Sequence, residues 1–135
     1  MRVIGLSCAT VLIAAVLSGQ TPDHVIQFLR TTATALANGH DEGSAQQFLD
    51  NFDRTMPDYA ALADAVEGLV ARSEIGSAVE IVTDSGDDKK RALELDWVLE
   101  VEDQLPRRKI LKCTIERKGK NWKFTSLEPV DFFKY

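Results

Sequence analysis

The stretch RALELDWVLEVED, residues 91–103, constrains the fold of this chain more than any other segment. Its odd positions are all apolar: Leu93, Leu95, Trp97, Leu99 and Val101. Its even positions carry four acids and one valine: Glu94, Asp96, Val98, Glu100 and Glu102. Because neighbouring side chains of a strand point to opposite faces, the pattern predicts a strand with its odd row in the core. Four unpaired carboxylates in a core would each cost on the order of several kcal/mol, so we expect a solvated or dimer-facing acidic row.

The first 19 residues have the pattern of a secretory signal peptide. Arg2 forms a short positive region, an uncharged apolar run follows, and Val16 and Ser18 suit positions −3 and −1 of a cleavage site after Ser18. An uncleaved membrane anchor is the alternative, although the apolar run of about 15 to 17 residues is short of the roughly 20 that a span needs. We assign residues 1–19 to the signal peptide and residues 20–135 to one domain, exported to the periplasm or secreted.

The charge balance and the cysteines exclude several classes of function. The formal net charge is −5 and becomes more negative when the leader leaves with Arg2. An acidic domain repels phosphate backbones and offers no polybasic patch, so we expect neither nucleic acid nor, after leader cleavage, a membrane as partner. Cys8 leaves with the leader, which leaves Cys113 alone, without a disulfide partner in the chain and expected to be buried.

The hydrophobic period divides the domain into a helical half and a strand half. Helix signals begin at Thr21-Pro22-Asp23, near Glu42 and at Thr55-Met56-Pro57-Asp58. From Ser77 the period changes to two, and it predicts four strands separated by turns, the first of them DSGDDKK at 84–90. The predicted strands are Ala78–Thr83, Ala92–Glu102, Arg108–Arg117 and Trp122–Leu127. Helices followed by an antiparallel meander indicate an α+β fold, with three N-terminal helices packed on a curved sheet of about four or more strands.

The row of the sheet that faces the helices is predicted to be wholly apolar. The expected inward side chains are Val79, Ile81, Leu93, Leu95, Trp97, Leu99, Val101, Leu111, Cys113, Ile115, Trp122 and Phe124. They include no acid, histidine or tyrosine, so no strand supplies an acid–base residue in this register. A slip of one residue would exchange the two faces and reverse that conclusion.

Three segments resemble small bacterial members of the nuclear transport factor 2-like superfamily, which includes ketosteroid isomerase-like and polyketide cyclase-like proteins. They are FLDNFDRTMPDYAAL (48–62), ALELDWVLEVE (92–102) and WKFTSLEPVDFF (122–133), and the resemblance covers about residues 22–135. It implies a cystatin-like cone of helices and curved sheet. It leaves function open, because the superfamily holds isomerases, cyclases, dehydratases, pocket binders and dimerisation modules.

The apolar inner row favours a non-catalytic exported domain that binds a small apolar ligand or another protein, and it makes an enzyme the less favoured reading. The candidate pocket-lining residues are Tyr59, Leu95, Trp97, Leu111, Cys113, Trp122 and Phe124. The same side chains could instead fill the cone. The alternative is an isomerase-, cyclase- or dehydratase-type enzyme, which would use helix-borne groups in the cone: Asp64, Glu67 or Tyr59.

No motif in the sequence indicates a cofactor or a metal, and we expect none. His24 and His40 lie on separate segments without metal-ligand spacing, and the acids of DSGDD at 84–88 fit a hairpin turn better than a calcium loop. We expect a homodimer through the outer face of the sheet, as the resemblance implies. The aromatic tail EPVDFFKY, residues 128–135, is expected either to fold back onto the domain or to meet a partner.

Overall fold

A computed structural model describes residues 21–37 and 43–135, which form three helices followed by four strands. The helices are α1 (Asp23–Ala37), α2 (Ser44–Leu49) and α3 (Tyr59–Arg72). The strands are β1 (Ile75–Gly86), β2 (Lys90–Val101), β3 (Arg107–Lys118) and β4 (Asn121–Glu128). The predicted signal peptide and His40 lie outside the described residues. The α+β fold class predicted from the sequence is confirmed, with three helices packed against an antiparallel sheet.

The sheet is a meander in the order β1-β2-β3-β4, and every neighbouring pair is antiparallel. The odd row of β2 is buried and its even row is half-buried or exposed, as the alternation predicts. Leu93 lies opposite Cys113, and Leu95 lies opposite Leu111, so the inner rows of β2 and β3 form one continuous apolar surface. This surface packs under the helices.

Each long helix contributes one apolar stripe to the core, at the positions expected from the helical period. The buried apolar residues are Val25, Leu29, Ala33, Ala35 and Leu36 on α1, and Leu62, Val66 and Leu69 on α3. The helix α1 begins at Asp23, where the carbonyl of Pro22 accepts the N–H groups of Val25 and Ile26. The helix α3 begins at Tyr59, later than its sequence signal, because Asp58 before it has a positive φ of 65°.

The edge of β4 is covered by the segment after α2, which contains residues 51–53. Phe124 donates its N–H to the carbonyl of Asn51 at 2.8 Å, and the N–H of Asp53 donates to the carbonyl of Phe124 at 2.8 Å. Phe52 stacks on Phe124 with ring centroids 4.6 Å apart. An uncovered edge strand is a template for pairing with other chains, and this contact, here called the β4 clasp, occupies part of that edge.

The C-terminal tail folds back onto the domain, which is one of the two outcomes expected from its aromatic content. Val130–Phe133 forms a 3₁₀ helix in which Phe132 and Phe133 are buried. Arg107 donates hydrogen bonds from Nη1 to the backbone carbonyls of Phe132 (2.9 Å) and Lys134. The tail is therefore part of the hydrophobic core.

Candidate functional site

The candidate pocket residues on the strands come together on the inner face of the sheet, and the core closes over them. Leu95, Trp97, Leu111 and Phe124 are 0% exposed. Cys113 and Trp122 are each 4% exposed. A side chain that borders a void large enough for water is exposed to that void, so these side chains pack against other protein atoms. Their lining of a ligand pocket stays a prediction, and this packing favours the alternative that they fill the cone.

Aromatic contacts around Trp97 contribute to this filling. The Phe133 ring meets the indole edge to face, with centroids 5.2 Å apart and planes 88° apart, and Phe48 lies 6.2 Å away on α2. The indole N–H of Trp97 donates to Oγ of Ser77 on β1 at 3.0 Å. The one polar atom of this ring therefore has a partner, and the remainder of the ring is surrounded by apolar groups.

Cys113 is a buried thiol on the inner row of β3, as the sequence predicts. Burial raises the pKa of this thiol well above its ordinary value, because the charged thiolate loses its hydration. A nucleophilic cysteine needs the opposite shift and access to solvent. The side chain acts here as a small apolar group.

One acid does reach the inner face, and the predicted register missed it. The strand β1 continues to Gly86, through residues expected in the 84–90 turn, and its pairing with β2 shifts between Ile81 and Thr83. This bulge adds one residue, Val82, so the alternation changes phase and the Asp84 side chain becomes buried. The sequence does contain a sign of this buried acid in Arg91. This cation lies on the odd, inward row of β2, and a buried cation needs an acidic partner on a neighbouring strand.

The Asp84 carboxylate accepts three hydrogen bonds. Arg91 donates from Nε to Oδ1 at 2.9 Å and from Nη2 to Oδ2 at 3.1 Å. Thr21 donates its hydroxyl to Oδ2 at 2.7 Å, and Arg91 also donates from Nη1 to the carbonyl of Asp87 at 2.9 Å. These bonds join the start of α1 to both strands of the first hairpin. The arrangement suits a structural ion pair.

The helix-borne groups of the enzymatic alternative lie away from the inner row. Tyr59 is half-buried at the start of α3 and packs against the core, whereas Asp64 and Glu67 are exposed on the same helix. Within residues 21–37 and 43–135, no three His, Cys, Asp or Glu side chains are grouped closely enough to hold a metal ion. Asp87 accepts the backbone N–H groups of Lys89 (2.8 Å) and Lys90 (3.0 Å), and these bonds lower its pKa. This geometry agrees with the hairpin turn predicted there.

The outer face of the sheet carries paired charges around an apolar centre. Arg108 binds both carboxylate oxygens of Asp96, with Nε–Oδ1 and Nη2–Oδ2 distances of 3.0 and 2.6 Å. The hydrogen bonds from Arg108 lower the pKa of Asp96, and the carboxylate raises the pKa of Arg108 in turn. Glu94 lies directly opposite Lys112. Ile110, opposite Asp96, is a large apolar side chain that is 45% exposed.

Comparisons with known proteins identify the fold. No protein-family model matches the chain, and no curated protein matches it. The solved structure of Bd1075 from Bdellovibrio bacteriovorus matches 77% of this chain, with a TM-score of 0.65 and 11% identity. This chain spans only 39% of the Bd1075 chain.

Two further solved structures share the fold at low identity. A Nostoc punctiforme PCC 73102 protein of unknown function with a cystatin-like fold matches 77% of this chain and 85% of its own, with a TM-score of 0.57 and 9% identity. A Novosphingobium aromaticivorans protein described as a candidate aromatic ring hydroxylase matches 85% of this chain and 100% of its own, with a TM-score of 0.56 and 13% identity. None of the described helices is both long and apolar enough to cross a membrane. At these identities the likeness concerns the fold alone, and the chain has a cystatin-like α+β fold.

Proposed function

We propose that this protein is an exported, non-catalytic interaction module of the nuclear transport factor 2-like superfamily, which pairs with a second copy of itself through the outer face of its sheet. The observation that carries the proposal is the closed core, in which the apolar side chains on the inner row of β2 and β3 are 0–4% exposed. A binding site inside the cone would need that row to open. The exposed outer face is then the broad surface left for recognition.

The outer face has a polarity that suits a second copy. Acids concentrate on its β1–β2 side, where Glu80 lies directly opposite Asp96. Cations concentrate on β3, where the Arg108 side chain is 70% exposed although it binds Asp96. A two-fold axis that lies between the two sheets and runs parallel to the strands would place the acidic side of one copy over the basic side of the other. Such pairing would also relieve the repulsion between the neighbouring carboxylates of Glu80 and Asp96.

The apolar centre of this face supplies the burial that a stable dimer needs. Ala78 lies opposite Val98, and Ile110 lies on the neighbouring strand one position along the same face. Val82, the added residue of the β1 bulge, is also exposed. Covering such side chains is worth about 25 cal/mol per Å² of apolar area, and the surrounding charges set the orientation of the two copies.

Native mass spectrometry of the protein purified from the compartment to which it is exported tests the proposal. The expected spectrum is a dimer of the processed chain with no small-molecule adduct. We expect Ile110→Asp to be monomeric, because each copy would bury an unpaired carboxylate at the centre of the interface. Leu105→Asp is the matched control, since Leu105 is 86% exposed in the β2–β3 turn, and it should remain dimeric. A monomeric wild-type protein, or an apolar adduct lost on denaturation, would contradict the proposal.

A further inference from the structure

A groove of about 370 Å³ lies on the helix side of the sheet, between the first turn of α1, the segment after α2 and the β3–β4 hairpin. Its polar lining includes His24, Asn51, Arg117, Lys120, Asn121 and Lys123. Phe28 and Trp122 supply apolar surface beneath these groups. The groove is separate from the outer face, and the function proposed above does not use it.

Trp122 holds two of the lining groups in place. Arg117 lies directly opposite Trp122 in the β3–β4 register, and its guanidinium carbon is 5.5 Å from the centre of the indole ring. The indole N–H of Trp122 donates to Nδ1 of His24 at 3.0 Å. Because Nδ1 accepts this bond, the ring proton of a neutral His24 is on Nε2. An exposed His24 thus offers its own N–H group as a second donor at the groove.

The cationic side chains that line the groove have hydrogen-bond donors available for an anion. Within the described parts of the chain, the Lys120 side chain forms no hydrogen bond or ion pair, and the Arg117 guanidinium lies over the face of Trp122 without forming an ion pair. Lys123 donates its ammonium to the backbone carbonyl of Asp50, which is an uncharged acceptor. Asp50 also lines the groove, and its Oδ1 accepts the amide N–H of Gln46 at 2.6 Å. Cations therefore outnumber carboxylates in the lining.

We propose that this groove binds an acidic peptide segment of a partner protein. One Asp or Glu carboxylate of the peptide would lie between Arg117 and Lys120, and its carbon chain would lie along Phe28. A guanidinium on an indole face retains its donors for bidentate carboxylate binding. Nucleic acid fits less well, because phosphate binders typically use about 6–10 phosphate contacts and this groove has three cations on a chain of net charge −5.

The test is a titration of the full processed protein with hexaglutamate whose two ends are uncharged. Calorimetry and tryptophan fluorescence measure the binding. The chain has two tryptophans, and only Trp122 lines the groove and lies under Arg117, so a change in emission reports on Trp122. We expect saturable binding that weakens with added salt. The double variant Arg117→Gln and Lys120→Gln should bind at least about tenfold more weakly. The pair Lys109→Gln and Lys134→Gln removes the same charge outside the groove, and its affinity should stay within about twofold of wild type.

Lys120→Gln alone is a control for misfolding, because this side chain is exposed and forms no hydrogen bond or ion pair among the described residues. It should weaken binding and leave the unfolding midpoint unchanged. The proposal is overturned if hexaglutamate does not bind, or if both double variants bind equally. It is also overturned if inorganic phosphate binds with the same dependence on Arg117 and Lys120, because the groove would then be a simple anion subsite. The dimer variant Ile110→Asp should bind hexaglutamate like wild type, so failure of the dimer model is distinguishable from failure of this one.

Discussion

Arg91 and Asp84 form a bidentate ion pair on the inner face of the first hairpin, with side chains only 10% and 7% exposed. The pair exists because the bulge at Val82 turns Asp84 inward, toward a cation that the regular alternation of β2 had already placed in the interior. A buried charge needs its partner, so the two residues depend on each other for their burial.

We expect Asp84→Ala to lower the free energy of unfolding by about 3–5 kcal/mol, because it leaves the Arg91 guanidinium buried without a counter-charge. Urea denaturation measures this loss. The double variant Asp84→Leu and Arg91→Met should be more stable than Asp84→Ala, since no charge remains in the interior. If Asp84→Ala is as stable as wild type, the ion pair does not form as described.

Ser77→Ala should destabilise the domain by about 1–3 kcal/mol, because the indole N–H of Trp97 loses its acceptor in a closed apolar environment. Ser85→Ala is the control on the same strand, where the side chain is exposed, and it should change the stability by no more than about 0.5 kcal/mol. Equal denaturation midpoints for the two variants would mean that Trp97 is hydrated or oriented differently.

Phe133→Ala should cost about 3–5 kcal/mol of stability, because the fully buried ring touches Phe48, Trp97 and Phe132. Tyr135→Ala, two residues further on and 48% exposed, should cost far less. Thermal unfolding followed by circular dichroism compares the two. A tail that served only a partner would give two variants of wild-type stability.

The Cys113 thiol should react with iodoacetamide only as fast as the protein unfolds, because burial both shields it and raises its pKa. The measurement is the alkylation rate of Cys8→Ser protein with and without urea, read by mass spectrometry. Rapid labelling of the folded protein would show that β3 opens at Cys113, and it would restore the case for a pocket there.

The contribution of Asp96 to stability should depend on pH. Arg108 lowers the pKa of Asp96 from its ordinary value of 3.8, so the stabilisation is present above that value and is lost as the pH falls below it. The loss of unfolding free energy between neutral pH and roughly pH 3 should therefore be smaller in Asp96→Asn than in wild type. Arg108→Gln removes the hydrogen bonds that lower the pKa of Asp96, so it should reduce the pH dependence of the unfolding free energy in the same way. Parallel profiles in all three proteins would contradict this assignment.

The sequence predicted those parts of the fold in which one period runs without interruption. The odd row of β2 is apolar at five successive positions. All five side chains lie on one face of the strand, so that face must be the one that packs on the core. The apolar stripes of α1 and α3 were predictable for the same reason, because each keeps one helical period along its length. The inner positions of Leu111, Cys113, Trp122 and Phe124 were predicted correctly because β3 and β4 are regular at those residues.

The predictions were wrong where an extra residue changes the phase of a strand. Nothing in the local composition marks Val82 as a bulge, so Asp84 was expected in a turn and the inner face was expected to hold no acid. A second irregularity, in the pairing of β4 with β3, moves Leu127 to the buried side together with Phe124. The β4 clasp could not be predicted, because backbone bonds between distant segments leave no period in the sequence. The contact of His24 with Trp122 depends on the tertiary packing of α1 in the same way.

The β4 clasp has a consequence for the order in which the chain folds. The four strands pair only with their neighbours in sequence, so each hairpin can close locally and rapidly. The clasp instead joins the helical half of the chain to its final strand, and that strand leaves the ribosome last. Until β4 arrives, Asn51 and Asp53 lack their backbone partners, and the rings of Phe28 and Phe52 lack their contact with Phe124. We therefore expect the nascent chain to need protection from self-association until β4 has emerged.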